Sequence, residues 1–326
     1  RDVLGSRGLG DVYKRQPLYL ELKKKVLSSD YIQVDETTLP VIDHDRHKAA
    51  KEYIWIVRAA VPRLLFFHYD NGSRSQKVAI DLLKTFKGYL QCDGYSAYDA
   101  FENRKDVRLC GCLAHIRRHI ESCREENREY AMQGLKFIQD LYNVEYMADE
   151  RQLSYEERAA LRQRLAGPLL DAFELWLQNT YPKVLKRSLM GKAIAYAYPL
   201  IPRMRHYLYD GRIFIDNKRA ENALRPMVLT RKNMLFCGNR QAAENTAVIC
   251  SLLGSCKECG VNPREWLNDV ISKLPYYLTP KSEKKLTELL PDRWGGYRQS
   301  HDTLPTVPGM SMDNPRTVHR QTVHAT

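Results

Sequence analysis

Two apolar runs each end on an aspartate, Ile32-Gln33-Val34-Asp35 and Leu90-Gln91-Cys92-Asp93, and the chain between them limits how those ends can meet. Tyr53–Ala60 (Y-I-W-I-V-R-A-A) and Leu64–Tyr69 (L-L-F-F-H-Y) are short aromatic and β-branched runs separated by Pro62, the pattern of successive hairpin strands. Asn71-Gly72 breaks the chain. Val78, Leu82, Leu83 and Phe86 then recur at helical spacing within Gln76–Phe86, Gly88 is placed to stop that helix, and Tyr89–Cys92 reads as a fourth strand. A helical crossover lays the fourth strand parallel to the first, so Asp35 and Asp93 can become neighbours although about sixty residues separate them.

A third acid, Glu221, lies in D-N-K-R-A-E-N-A-L-R-P. Each of the three has a plain local reading: Asp35 as a strand-end residue, Asp93-Gly94 as a turn, and Glu221 as half of a helix pair with Arg225. Together they have another. Two aspartates on adjacent strands and a glutamate on a helix are how a ribonuclease H-like fold holds two divalent metal ions for phosphoryl transfer on nucleic acid. The expected fold is therefore α/β, with a mixed sheet of three antiparallel strands plus parallel strands, flanking helices, and an all-α insertion before the third acid.

Six phrases occur in an order that resembles transposases of the insertion sequence 66 family: V-D-E-T (34–37), D-G-Y-S-A-Y (93–98), C-L-A-H-I-R-R (112–118), D-N-K-R-A-E-N-A-L-R-P (216–226), R-K-N-M-L-F-C-G (231–238) and G-V-N-P-R-E-W-L (260–267). They span about Asp30–Trp294. The resemblance implies that Asp35, Asp93 and Glu221 are the catalytic DDE triad and the metal ligands. It also implies that Cys112, His115, Arg118 and Asn217 support the active site. Lys218, Leu113 and Met234 depart from the family pattern, which has Asn, Trp and Trp there; they stand beside the acids and do not replace them. The implied activity is cleavage and strand transfer of DNA that mobilises an insertion sequence, with homo-oligomers formed by the full-length protein.

Such chemistry calls for these residue types. A phosphodiester is shielded by its own charge, so an attacking water or 3′-hydroxyl needs cations that lower its pKa and neutralise the leaving oxygen. Carboxylates supply hard oxygen ligands for Mg²⁺ or Mn²⁺, and three acids suit two ions.

Charge points to the same partner, double-stranded DNA. The chain carries a formal +12, and residues 203–240 hold nine basic residues against three acidic ones. Within that run, Lys218, Arg219, Arg225, Arg231 and Lys232 are the expected phosphate contacts. No apolar run approaches the roughly 20 residues of a membrane span, and no secretion signal is evident, so the expected location is cytoplasmic and nucleoid-associated.

Ser6–Gln16 translates as one frame of a sequencing-library adapter, so residues 1–16 are expected to be a scar and the natural chain to begin upstream. The resemblance implies a preceding part with a helical oligomerisation segment and end-recognition elements. Residues 17–112 begin the catalytic domain, 113–210 form the helical insertion, 211–240 carry the catalytic helix and basic segment, 241–294 are C-terminal helices, and 295–326 are polar and read as a disordered tail. In the insertion, Ser154–Glu157 is a capping box. Gly167-Pro168 is read as stopping one helix and starting another, with Trp176 as core.

Cys110, Cys112, His115, His119 and Cys123 lack the spacing of a paired-cysteine finger, so structural zinc is not expected. Two rival functions remain open on the sequence. One is a catalytically inactive DNA-binding remnant. The other is a tyrosine recombinase, suggested by His115-Ile116-Arg117-Arg118 with a tyrosine such as Tyr142 as nucleophile.

Overall fold

Alternation of apolar residues carries the first strand well past Asp35. In the computed structural model, which describes residues 16–43, 47–279 and 282–294, β1 (Tyr31–Asp43) pairs antiparallel with β2 (Lys48–Ala59) from Ile32↔Ala59 to Asp43↔Lys48. Short β3 (Leu65–His68) continues the antiparallel set on β2. The crossover through α2 (Gln76–Leu82) brings β4 (Gly88–Gln91) parallel to β1, and β5 (Val107–Cys110) adds parallel to β4. The result is a five-stranded mixed sheet in the order β3-β2-β1-β4-β5.

Two local expectations shift. Asp35 lies inside β1 and not at its end, because the hairpin with β2 sustains the strand after β4 has left the sheet. The helix stops at Leu82, and Gly88 opens β4 instead of closing the helix. Gly88 has φ +123°, and a Cβ there would lie 2.1 Å from the Asp30 carbonyl oxygen, so the strand entry admits only glycine without displacement.

The two sheet faces follow the period of two. Ile32, Val34, Trp55, Val57, Phe66 and Leu90 pack with Leu18, Leu22 and Val26 of α1 (residues 16–27), with α2, and with Trp266 and Val270 of α11 (Pro263–Tyr277). On the opposite face, Leu39, Val41, Ile54, Ile56, Leu65 and Phe67 pack under α9 (Lys218–Met234) and α10 (Arg240–Glu258).

Both rims of the sheet are occupied. Along β3, the amides of Leu65 and Phe67 donate to the hydroxyls of Ser255 (3.2 Å) and Ser251 (2.7 Å) on α10. Ser255 donates to the Leu65 carbonyl (2.8 Å) and Tyr19 to that of Phe67 (2.7 Å). Along β5, His206 Nδ1 lies 2.7 Å from the Leu109 carbonyl oxygen, and Gly111 donates to the Arg203 carbonyl just past the strand.

Six helices separate β5 from α9: α3 (Leu113–Glu121), α4 (Arg128–Glu150), α5 (Tyr155–Leu161), α6 (Gly167–Thr180), α7 (Leu189–Ala197) and α8 (Ile201–Arg205). Ser154 and Glu157 form the capping box of α5. Gly167-Pro168 does not break the chain. A π turn over Arg162–Ala166, in which the Gly167 amide donates to the Arg162 carbonyl five residues back, carries α5 into α6 with helical dihedrals at Gly167, and Pro168 follows directly in α6.

Trp176 is half-buried and not core, stacking on Phe173 while its Nε1 donates to Gln133 (2.9 Å). Of the segment read as scar (1–16), residues 1–15 lie outside the described residues and Gln16 opens α1; the segment read as tail (295–326) also lies outside them.

Candidate active site

Strand register sets the first two acids side by side. β1 and β4 pair as Tyr31↔Tyr89, Ile32↔Leu90 and Gln33↔Gln91, and the same offset two residues further on aligns Asp35 with Asp93. Asp93 lies just beyond the end of β4, where its Oδ1 accepts from the Tyr95 amide (3.0 Å) and fixes the turn. Asp35 Oδ1 accepts from the Glu36 amide (2.8 Å).

A buried amide network delivers the third acid. Gln91 Oε1 accepts from Tyr31 Oη (2.6 Å) and Gln33 Nε2 (2.7 Å), while its Nε2 donates to the carbonyls of Gly111 (3.0 Å) and Phe214 (2.7 Å). Gln33 Nε2 also reaches the Asp216 carbonyl (3.1 Å). Two glutamines paired across the sheet thus anchor the segment entering α9, which carries Glu221 in its first turn. Tyr142 donates to Asp216 Oδ2 (2.7 Å), and the Asn217 amide donates to Cys112 Sγ (3.4 Å). Tyr142 is held as a donor to that carboxylate, with its hydroxyl pKa pushed up by burial.

The four expected support residues gather here. Glu221 Oε1 faces His115 Nε2 (3.4 Å) and an Arg118 guanidinium nitrogen (3.5 Å), and His115 Nδ1 lies 3.2 Å from Cys112 Sγ. Burial holds His115 below the usual imidazole range, against the opposing pull of Asp93 and Glu221, which places the ring within reach of both acids. Asn217 is fully buried, and neither polar atom of its side chain has a hydrogen-bond partner.

The expected DNA contacts divide. Lys218 Nζ approaches Asp216 (3.7 Å) and Arg219 stacks on Phe214 at 3.9 Å, its guanidinium pushed down to about 10, chiefly by burial. Arg225 is exposed. The side chains of Arg231 and Lys232 lie outside the described residues.

A fourth acid escaped the sequence reading. Glu36 accepts from Arg74 (2.8 Å) and from Tyr98 Oη (2.9 Å), tying β1 to the turn after Asp93. Burial raises its pKa and Asp93 adds to the rise. Adjacency to Asp35 was the only signal, and strand alternation assigns the two to opposite faces.

Asp35 is pushed up to about 8, first by burial and then by Glu36, Asp93 and Glu221. These acids feel one another, yet among the described residues no group of three or more His, Cys, Asp or Glu side chains is close enough to hold a metal ion. The donor set still fits a hard divalent cation: its oxygens are carboxylates, Glu221 Oε1 is buried without a hydrogen bond, and a cation would relieve the repulsion that raises Asp35.

A pH dependence follows. The unfolded chain releases the Asp35 proton near pH ~4 and the metal-free native chain near 8, so native stability falls as pH rises through that window, by up to ~1.4 kcal/mol per unit. Urea unfolding of wild type and Asp35→Asn from pH 5 to 8 is expected to show the variant gaining on wild type as pH rises. Parallel profiles would contradict the buried acid, and subtraction removes the opposite contribution of His115.

Comparison with known proteins places this geometry. The family described as "Transposase IS66 family" matches residues 12–245, and "IS66 C-terminal element" matches residues 251–291. The first match begins inside the segment read above as a scar. Similar proteins in Sinorhizobium fredii include uncharacterized protein y4jD, 30% identical over 90% of this chain and 59% of that protein. Another is uncharacterized protein y4qI, 30% identical over 80% of this chain and 51% of that protein. The chain thus spans between half and three-fifths of their lengths. No solved structure matches. Among the described residues no helix is long and apolar enough to cross a membrane.

Proposed function

The chain belongs to the IS66 family of transposases, and from that premise we propose that it cleaves and joins DNA strands by metal-dependent phosphoryl transfer at Asp35, Asp93 and Glu221. The observation that supports this reading is that β1 and β4 pair in parallel up to Gln33↔Gln91, two residues before Asp35 and Asp93, while α9 carries Glu221 in its first turn and both Asp93 and Glu221 act on Asp35. We read the sheet as ribonuclease H-like on the same ground, with its helices α3–α8 inserted before the third acid.

In this mechanism the three carboxylates hold two Mg²⁺ or Mn²⁺ ions. When bound, the ions would lower the pKa of the attacking water or 3′-hydroxyl and neutralise the leaving oxygen. The protein supplies position. The glutamine network fixes the approach of α9, Glu36 with Arg74 and Tyr98 braces the Asp93 turn, and His115 with Cys112 orients Glu221. Arg225, Arg231 and Lys232 offer charge to the duplex backbone, with Lys218 and Arg219 closer to the acids. Recognition of transposon ends and assembly into homo-oligomers belong to the whole protein in this reading.

A second reading, a DNA-binding remnant without catalysis, draws on the absence of a ready metal-holding group among the described residues. One assay separates the two. A labelled duplex incubated with the chain is expected to be nicked in Mg²⁺ or Mn²⁺, bound without nicking in Ca²⁺, and released steeply as salt rises. Nicking that persists in EDTA overturns metal catalysis, and binding without nicking in every metal favours the remnant.

A further inference from the structure

Glu221 is held by a helix of the inserted region, not by the sheet that bears the other two acids. Its Oε1 meets His115 Nε2 at 3.4 Å and Arg118 at 3.5 Å, both on α3, and this buried oxygen makes no hydrogen bond. The two basic neighbours differ in kind. The His115 side chain is 13% exposed and is fixed from behind by Cys112, whereas the Arg118 side chain is 65% exposed and reaches the carboxylate through one long contact. Neighbouring Arg117 is engaged with Glu121 (3.5 Å). A guanidinium has five donors in a planar fork, so most of Arg118's bonding capacity faces solvent at the lip of the site.

We propose that Arg118 binds a DNA backbone phosphate and that its contact with Glu221 is a resting latch: the phosphate takes the guanidinium, and the freed carboxylate closes on Asp35 and Asp93. The inference rests on the catalytic reading above and adds the order in which the site assembles.

Three observations support it. Asp35 within β1, Asp93 in the turn after β4 and Glu221 in the first turn of α9 form no metal-holding group, and Glu221 faces α3, so closure needs movement of at least one of them. Asn217, at the entrance to α9, is fully buried with both side-chain polar atoms unpartnered, so the first turn has hydrogen bonds to gain in another arrangement. Finally, a phosphodiester offers the guanidinium a bidentate partner, which is stronger than the single long contact it would replace. By linkage, an anion that draws Arg118 away and a cation that gathers the acids favour the same state, so each raises the affinity for the other.

The test uses the 326-residue chain with Mn²⁺, followed by electron paramagnetic resonance, and a labelled duplex, followed by fluorescence anisotropy. Without DNA, Arg118→Gln is expected to bind Mn²⁺ about two- to fivefold more tightly than wild type, the size of releasing one exposed ion pair. The same variant is expected to bind duplex more weakly, with a salt slope smaller by about 1, and Arg118→Lys to recover part of that loss. A merely structural role for Arg118 would weaken both ligands together, and melting curves separate that case. Mn²⁺ affinity that falls or stays unchanged in Arg118→Gln overturns the latch while leaving the catalytic reading intact. A wild-type chain that binds no Mn²⁺ with or without duplex overturns both.

Discussion

Replacing any one of the three site acids, by Asp35→Asn, Asp93→Asn or Glu221→Gln, is expected to reduce metal-dependent nicking of a duplex by on the order of 10²–10³-fold, the usual scale for losing one charged transition-state stabiliser. Each change keeps side-chain size and removes the anionic oxygen that a hard cation requires. Asp35→Asn carries its own control. Because burial and the neighbouring acids raise this carboxyl, its loss should stabilise the metal-free protein at pH 8, so lost activity cannot be ascribed to unfolding. Single-turnover cleavage in Mn²⁺, run beside urea denaturation, reads both effects. A variant that nicks at the wild-type rate would remove its residue from the triad.

The largest expected loss of stability lies away from the acids. Arg162 is 1% exposed, and its Nε and one terminal nitrogen donate to the two oxygens of Glu145 at 2.8 and 2.7 Å. Its other terminal nitrogen donates to the carbonyls of Tyr207 (2.9 Å) and Asp210 (3.0 Å), and the guanidinium lies over the Tyr207 ring. Arg162→Met would leave Glu145 with Arg158 alone, the Asp210 carbonyl with the Ile213 amide alone, and the Tyr207 carbonyl without the guanidinium, at a cost of about 3–5 kcal/mol. Adding Glu145→Leu should not restore the loss, because the buried Arg158 would then keep Asp149 as its remaining carboxylate partner. Chemical denaturation of single and double variants measures this. A single-variant loss below about 1 kcal/mol would show that the pair contributes little.

The strands were legible because β-branched and aromatic residues crowd into runs bounded by Pro62, Asn71-Gly72 and Gly88, and the observed β2 to β4 overlap those runs. The length of β1 was hidden by Pro40, which argues against a strand in a segment otherwise rich in β-branched residues. Its partner extends through Lys48, and pairing with β2 sustains Thr37 to Asp43 across that proline. Gln33 and Gln91 were hidden for a related reason: an amide within a strand reads as solvent-facing until its pairing across the sheet is known. Glu36 was masked by the aspartate beside it. At Gly167-Pro168, local punctuation favoured a break, but packing of Leu161, Ala166, Leu170 and Phe173 into one core carries the helix through.

The serines on α10 and the histidine after α8 have a consequence for assembly. Leu65 and Phe67 spend their outward amides and carbonyls on Ser251, Ser255 and Tyr19, and Leu109 offers its carbonyl to His206. Strand addition, by which a peptide or a second copy extends a sheet, finds no unused bonding groups at Leu65 or Phe67. Copies of this chain that meet at the β3 side do so through α1 and α10 and not by strand pairing, so such an association can be disrupted by surface substitutions while the sheet beneath the three acids keeps its register.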